Sequence, residues 1–328
     1  MQYRSFGKTG LQVSEIGHGT WAMGNMWGPT HDSESIEALL KGFELGINFV
    51  DTAWVYGEGR SEKIVASAIK RWKKKKIHVA TKSPPKTFKW PASPEIPVSE
   101  TFPADHIFEY TEKSLKNLKT DCIDLQQLHV WSEQWMEQGD WLEALQKLKQ
   151  QGKIRYMGVS INDHEPNTAL KLVASGIIDS VQVIYNIFDQ APQEKLFPLC
   201  EKMGVAVIVR VPFDEGSLTG TFSPQTEFHK EDWRRRYFKG DRLKETCERV
   251  EKIQFLIRDE IENLSQAALK FCLSQTAVCT VIPGMRKFAK VEMNCKASDG
   301  IRLKNFELEK LKDHAWQRNF YSPPVNKY

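Results

Sequence analysis

The hydrophobic positions of the chain keep two rhythms in alternation. Short, nearly continuous apolar runs rich in Val and Ile predict strands at EIGHGT (15–20), INFVDT (47–52), IHVATK (77–82), CIDLQQLHV (122–130), IRYMGVS (154–160), SVQVIYN (180–186), VAVIVRV (205–211) and VCTVIPG (278–284). Between them, apolar residues recur at helical spacing over 33–46, 61–72, 104–118, 141–152, 167–176 and 194–204, with Gly46 as a stop signal. Further helices are expected near 241–260, 264–275, 287–297 and 306–317. A hairpin-like start, punctuated by Gly7, Gly10 and Gly17, precedes the first strand. A Pro-rich loop follows Lys82, and a long polar loop runs from Pro212 to about Lys239.

Eight strands alternating with helices predict an α/β fold with a parallel sheet, and in one chain of this size they fit a closed (β/α)8 TIM barrel better than an open sheet. The glycine string GEGRSE follows the second strand and lacks a third glycine, which disfavours a dinucleotide-binding doubly wound sheet. The expected organisation is one barrel domain over 1–328. A hairpin cap occupies 1–14, a covering loop 212–240, and extra C-terminal helices lead to a tail within 300–328.

Composition narrows the partners. The net charge of +4 over 328 residues comes without a long basic stripe, so nucleic acid is not expected. No apolar run is long enough to span a bilayer, and the start MQYRSFGKTG lacks the core of a signal peptide, so the expectation is a cytoplasmic protein without a membrane partner. The six cysteines are scattered, which fits reduced thiols rather than a disulfide framework or a metal site. Nothing marks an oligomer interface, and the monomer is the default.

Asp51 closes an apolar strand, where a carboxylate needs a partner. It either caps the helix beginning near Arg60, with Tyr56 packing, or belongs to an ionisable cluster at a barrel mouth. Lys82 ends the third strand and His129 the fourth, and the C-terminal ends of barrel strands converge on the face where catalytic groups collect. The chemistry suggested is proton donation coupled to hydride transfer: an ammonium beside Tyr56 lowers the phenol's pKa toward the working range, Asp51 holds Lys82, and His129 orients a carbonyl oxygen. No metal-ligand spacing accompanies these residues.

Taken together, FGKTGLQVSEIGHGTWAMG, GINFVDTAWVYGEGRSE, VATK, DLQQLHVW, GKIRYMGVS and VCTVIPGMR give a chain that resembles the aldo-keto reductases over nearly its whole length. The resemblance implies a barrel that uses NADPH/NADP+ to reduce a small-molecule aldehyde or ketone, with Asp51, Tyr56, Lys82 and His129 as the catalytic tetrad. It further implies that Thr20, Trp21, Asp51, Ser160, Asn162 and Gln182 meet the nicotinamide end of the cofactor. Arg210 would stack on the nicotinamide ring, Val211, Pro212, Asp214, Gly216, Leu218 and Gly220 would follow the pyrophosphate, and Gly284, Arg286, Lys290 and Asn294 the adenosine. A guanidinium such as that of Arg286 suits a 2′-phosphate.

Three positions depart from the family pattern. Arg210 stands where many members stack an aromatic ring, Lys290 where many have Gln, and Asn162 lies one residue further from Ser160 than usual. Trp21, Trp54 and Trp131 each follow a strand end and are expected to wall the substrate pocket. In RWKKKK (71–76) the cations complement a helix C-terminus, whereas Arg234, Arg235 and Arg236 are candidates for a cofactor clasp. The segment AWQRNFYSPP is a candidate pocket cover. The same tetrad would also serve a sugar or cyclitol alcohol dehydrogenase, or a cofactor-sensing regulatory subunit resembling potassium-channel β subunits.

Overall fold

The computed structural model describes residues 1–321 except Met26 and Pro29. Residues 322–328, the end of the expected tail and of the AWQRNFYSPP cover, lie outside the described residues.

Two antiparallel strands, β1 (Tyr3–Ser5) and β2 (Gln12–Ser14), form the opening hairpin. Eight parallel strands follow: β3 (His18–Gly19), β4 (Phe49–Asp51), β5 (His78–Ser83), β6 (Ile123–Leu128), β7 (Ile154–Ser160), β8 (Ser180–Ile184), β9 (Ala206–Arg210) and β10 (Val278–Val281). They pair in sequence order from β3 to β10. Bridges between Ile16 and Val281 and between Gly19 and Gly284 join the last strand to the first and close the barrel. Gly19 permits that seam, since a methyl there would sit 2.5 Å from the Ile282 carbonyl oxygen.

Helices 32–44, 60–71, 104–118, 141–150, 170–175, 196–203, 264–273 and 288–295 follow the successive strands and form the outer layer. The helix expected over 241–260 stops at Glu251 and gives way to a 3-10 turn at Gln254–Leu256. Its buried residues Val250, Ile253 and Leu256 recur every third position, the eclipsed spacing of that tighter turn. The last helix, Asn305–Lys312, is likewise shorter than the sequence rhythm implied.

Alternation along the strands positions the site. Phe49, Ala80, Leu125, Ala206 and Ile208 form a cluster with Phe6 and Val13 of the hairpin, so one face of each strand fills the N-terminal end of the barrel and the hairpin plugs it. Two residues further along the same faces stand Asp51, Lys82, Gln127 and Arg210. The opposite faces carry Val50, Val79, Val159, Val181, Val207 and Val209 into the larger core shared with the helices. Burial on both faces explains why the strands read as continuous apolar runs.

His18 ties the seam to the segment after β10, its ring Nε2–H donating to the Met285 carbonyl at 2.7 Å. Burial drives its pKa down to about 4. A histidine whose pKa falls on folding keeps its stabilising effect above its unfolded value and loses it as pH drops. Between about pH 6.5 and 4 the protein should therefore lose on the order of 3 kcal/mol of stability. In His18→Gln, which retains a donor, the same titration of urea midpoint against pH should lack this component.

Candidate active site

The strand β4 ends on Asp51, and the chain then turns sharply before the helix 60–71. Gly57, Glu58 and Gly59 all adopt left-handed conformations (φ 69°, 51° and 84°), which reverses the backbone and lifts Tyr56 toward the barrel axis. Hydroxyls lock the turn: Thr52 Oγ1 donates to Ser61 Oγ at 2.9 Å, Ser61 to Thr20 Oγ1 at 2.7 Å, and Thr20 to the Asp51 carbonyl at 2.9 Å. Gly24 packs under the same turn so closely that a methyl would lie 2.5 Å from the Tyr56 carbonyl carbon.

Asp51 does not cap that helix, whose N-cap is Gly59. Its carboxylate instead receives Lys82 Nζ at 2.6 Å on Oδ1 and Gln182 Nε2 at 2.7 Å on Oδ2, with Gln127 Nε2 at 3.5 Å. Lys82 also donates to the Thr52 carbonyl at 2.8 Å and to Tyr56 Oη at 3.3 Å. Lys82 is wholly buried. Burial favours its neutral amine, but Asp51 and Tyr56 outweigh this and hold its pKa above the ordinary lysine value. His129 directly follows β6 and faces Tyr56 edge-on, ring centroids 5.9 Å apart.

One expectation is reversed. The phenol of Tyr56 is not pulled down toward neutrality: its burial raises the pKa above 10, the charge of Lys82 opposes this only in part, and Asp51 adds to the rise. Tyr56 is therefore held as the protonated phenol, the form a proton donor needs.

Asp51, Tyr56 and His129 line a cavity of about 480 Å3, with Lys82 buried behind them. Of the residues expected there, Thr20, Trp21, Asp51, Trp54, Tyr56, His129, Ser160, Asn162, Gln182, Arg210, Val211, Pro212, Gly216 and Gly284 line it. Several are already engaged. Asn162 clamps Ala92 of the Pro-rich loop through Oδ1 (2.9 Å) and Nδ2 (3.1 Å), and Arg210 Nη2 donates to the Ile161 carbonyl and to Asp163.

Other expected residues lie elsewhere. Trp131 is not a pocket wall: fully buried, it packs on Trp135 and Trp141 (5.1 Å between the Trp131 and Trp141 centroids) and donates to the Thr168 carbonyl. The chain bends after His129, which points Trp131 outward among the helices. Asp214 is buried as a structural acceptor for Ser217, Tyr237 and Arg318. Leu218 is core, and Gly220 ends the 3-10 turn 214–219. Lys290 is exposed on the helix 288–295, and Asn294 is buried beneath it. Arg286 stands just beyond Gly284, donating Nη1 to the Trp27 carbonyl at 3.2 Å. Arg234 pairs with Asp232 and lies over Trp27 at 4.3 Å, while Arg235 and Arg236 are exposed.

Sequence reasoning missed Phe88, Trp90 and Glu215 on the cavity wall, whereas Tyr321, also on the wall, lies in the segment AWQRNFYSPP expected to cover the pocket. Trp90 sits edge-on to His129 at 5.6 Å. The aromatic residues of KTFKWP were the available signal for the first two; nothing local marked Glu215.

The model of the Aldo/keto reductase family matches residues 15–315, and the chain belongs to that family. It is 32% identical over 319 residues to the oxidoreductase YqkF of Bacillus subtilis, covering 97% of each chain. Among solved structures it is similar to the holo form of an aldo-keto reductase from Bacillus halodurans (29% identity, TM-score 0.75, 96% of each chain). It is also similar to a glycerol dehydrogenase from Gluconobacter oxydans (25% identity, TM-score 0.73, 97% of this chain and 95% of that one). No described helix is long and apolar enough to cross a membrane.

Removing one partner of a buried ion pair strands the other charge. Lys82→Met should lower unfolding stability by about 3–5 kcal/mol, and adding Asp51→Asn should recover most of it. Denaturant unfolding of the two single variants and the double variant measures both. Gly24→Ala should reduce turnover through displacement of the Tyr56 turn, checked by steady-state kinetics beside unchanged far-UV circular dichroism.

Proposed function

We propose that the protein is an NADPH-dependent carbonyl reductase that converts an aldehyde or ketone to the alcohol, with Tyr56 as general acid. The carrying observation is the Asp51–Lys82–Tyr56 chain, 2.6 and 3.3 Å per link, ending on a cavity wall shared with His129. The nicotinamide supplies the hydride when bound. Tyr56 gives its proton to the carbonyl oxygen, and the charged Lys82 stabilises the phenolate that remains. Asp51 keeps that ammonium in place, and His129 orients the oxygen. Trp21, Trp54, Phe88 and Trp90 offer apolar walls to the substrate.

Features of the cavity and of the helix beside it support the cofactor. Arg210 Nε on the cavity wall and Asn294 Oδ1 in the helix 288–295 are buried without hydrogen-bond partners among the described residues. Gly284 leaves open space where a side chain would stand. Ser160 and Gln182 would meet the nicotinamide end, Arg210 would lie against the ring, and the backbone around Gly216 would face the diphosphate. Arg286 makes no ion pair among the described residues, so its guanidinium is available for a 2′-phosphate. Lys290, exposed nearby, would add charge at the adenosine end.

Alcohol oxidation is a second reading. The same groups work in reverse, Glu58 and Asp163 on the wall offer acceptors to hydroxyls, and one solved relative is named a glycerol dehydrogenase.

Tyr56→Phe should keep cofactor binding and lose turnover by roughly 10²–10⁴-fold; near-normal turnover would exclude the role. Tryptophan fluorescence titrations should show much tighter binding of NADPH than of NADH. Arg286→Ala should weaken NADPH by about 10–100-fold and leave NADH nearly unchanged.

A further inference from the structure

After β9 the backbone enters left-handed conformations at Val211 (φ 55°), Asp214 (44°), Glu215 (56°) and Gly216 (105°). Such values are unusual for a β-branched residue and for two successive acids, and the fold must hold them in place. The turn sends the two carboxylates to different duties. Asp214 goes inward to Ser217, Tyr237 and Arg318. Glu215 stays on the cavity wall, beside the Gly216 backbone that faces the cofactor's diphosphate in the reading above.

The partner of Glu215 comes from the C-terminal segment: Tyr321 Oη donates to its Oε1 at 2.5 Å, and Tyr321 lines the cavity too. That segment is also fastened at and just before Tyr321. Arg318 pairs with Asp189 and Asp214, Arg242 Nη1 donates to the Phe320 carbonyl at 3.1 Å, and Trp233 stacks on Tyr321 with centroids 5.7 Å apart. Loop and tail thus meet at the cavity through this carboxyl–phenol bond, beside the buried Arg318–Asp214 pair.

Glu215 has no ion-pair partner among the described residues. The charged groups around it are Asp214 from its own turn, Asp163 after β7, and Arg234 from the short helix Arg234–Tyr237. Arg234 is held by Asp232, and the cation near Asp163, Arg210, is held by Asp163 itself. Tyr321 and Tyr237 are the titratable neighbours from the tail and from that helix. Burial, with Asp214 and Asp163 adding to it, lifts the Glu215 carboxyl to about 7 against the pull of the Tyr321 hydrogen bond and Arg234.

We propose that Glu215 and Tyr321 form a proton-linked latch over the diphosphate segment of the cofactor site, so that binding the anionic cofactor draws one proton from solvent onto the Glu215 carboxylate. The inference rests on the cofactor reading above. An anion laid beside Gly216 would meet an unneutralised carboxylate in a low-dielectric wall. Protonation removes that repulsion and turns an acceptor-only group into one that donates a hydrogen bond. The proton goes from water to the carboxylate oxygen, and no other bond changes.

Isothermal titration calorimetry of NADPH into the full chain at pH 8, in two buffers of different ionisation enthalpy, tests this. The cofactor's 2′-phosphate, with a second pKa near ~6, is already fully ionised there. The wild type should take up more than about half a proton, and Glu215→Gln close to none. From pH 7 to 9 the wild-type affinity should fall by up to about tenfold per unit, while that of Glu215→Gln stays flat. Tyr321→Phe, which removes the donor favouring the carboxylate, should move the onset of this fall to higher pH. Equal proton uptake by wild type and Glu215→Gln, or an unmoved onset in Tyr321→Phe, would overturn the latch and leave the cofactor reading standing. Absence of binding heat for both NADPH and NADH would overturn the cofactor reading itself.

Discussion

The ion pair of Lys82 and Asp51 governs the arrangement of the barrel mouth. Both groups are almost wholly buried, so each depends on the other and on the amides and carbonyl around them. Gln182 from β8, Gln127 from β6 and the Thr52 carbonyl complete the set. Four strand ends are thereby fixed relative to one another by hydrogen bonds to two side chains. Such a constellation contributes little net stability compared with apolar residues of similar size, yet it penalises any shift in register, because a shift would leave a charge unpaired.

The same burial decides the state of Tyr56. A phenol at the edge of a dry pair responds to two opposed effects, the loss of hydration and the field of the ammonium. Here hydration loss prevails, with the Asp51 carboxylate screening part of the Lys82 charge. The result is a phenol held protonated beside a buried cation. In the proposed reaction Lys82 would stabilise the phenolate in an environment organised beforehand.

The roof of the cavity is built on a different principle. The walls nearest the tetrad come from strand ends with few degrees of freedom. The roof comes from the strained turn after β9, the Pro-rich loop clamped by Asn162, and the C-terminal segment pinned by Arg318 and Arg242. These pieces meet through side-chain hydrogen bonds and ring stacking rather than a backbone ladder. Trp21, Trp233, Tyr237 and Tyr321 form one aromatic chain across them. The roof accordingly depends on contacts between segments far apart in sequence.

Strand and helix rhythm, the parallel order of the sheet and the meeting of Asp51, Tyr56, Lys82 and His129 at one end of it were legible in the sequence, because alternation and short glycine turns are local and act through nearest neighbours. Asp51, Lys82 and His129 were readable as strand-end residues, and the motif around Tyr56 carried its own turn signal in Gly57 and Gly59. Trp131 could not be read correctly, since whether a residue just past a strand end faces the pocket or the helices depends on a bend that Trp135 and Trp141 stabilise from further along the chain. Asp214 and Glu215 look alike in sequence, and only packing sends one into the core and the other to the cavity. The direction of the Tyr56 shift was also beyond the sequence, because it depends on how hydration loss balances the charges of Lys82 and Asp51, and that balance exists only in three dimensions.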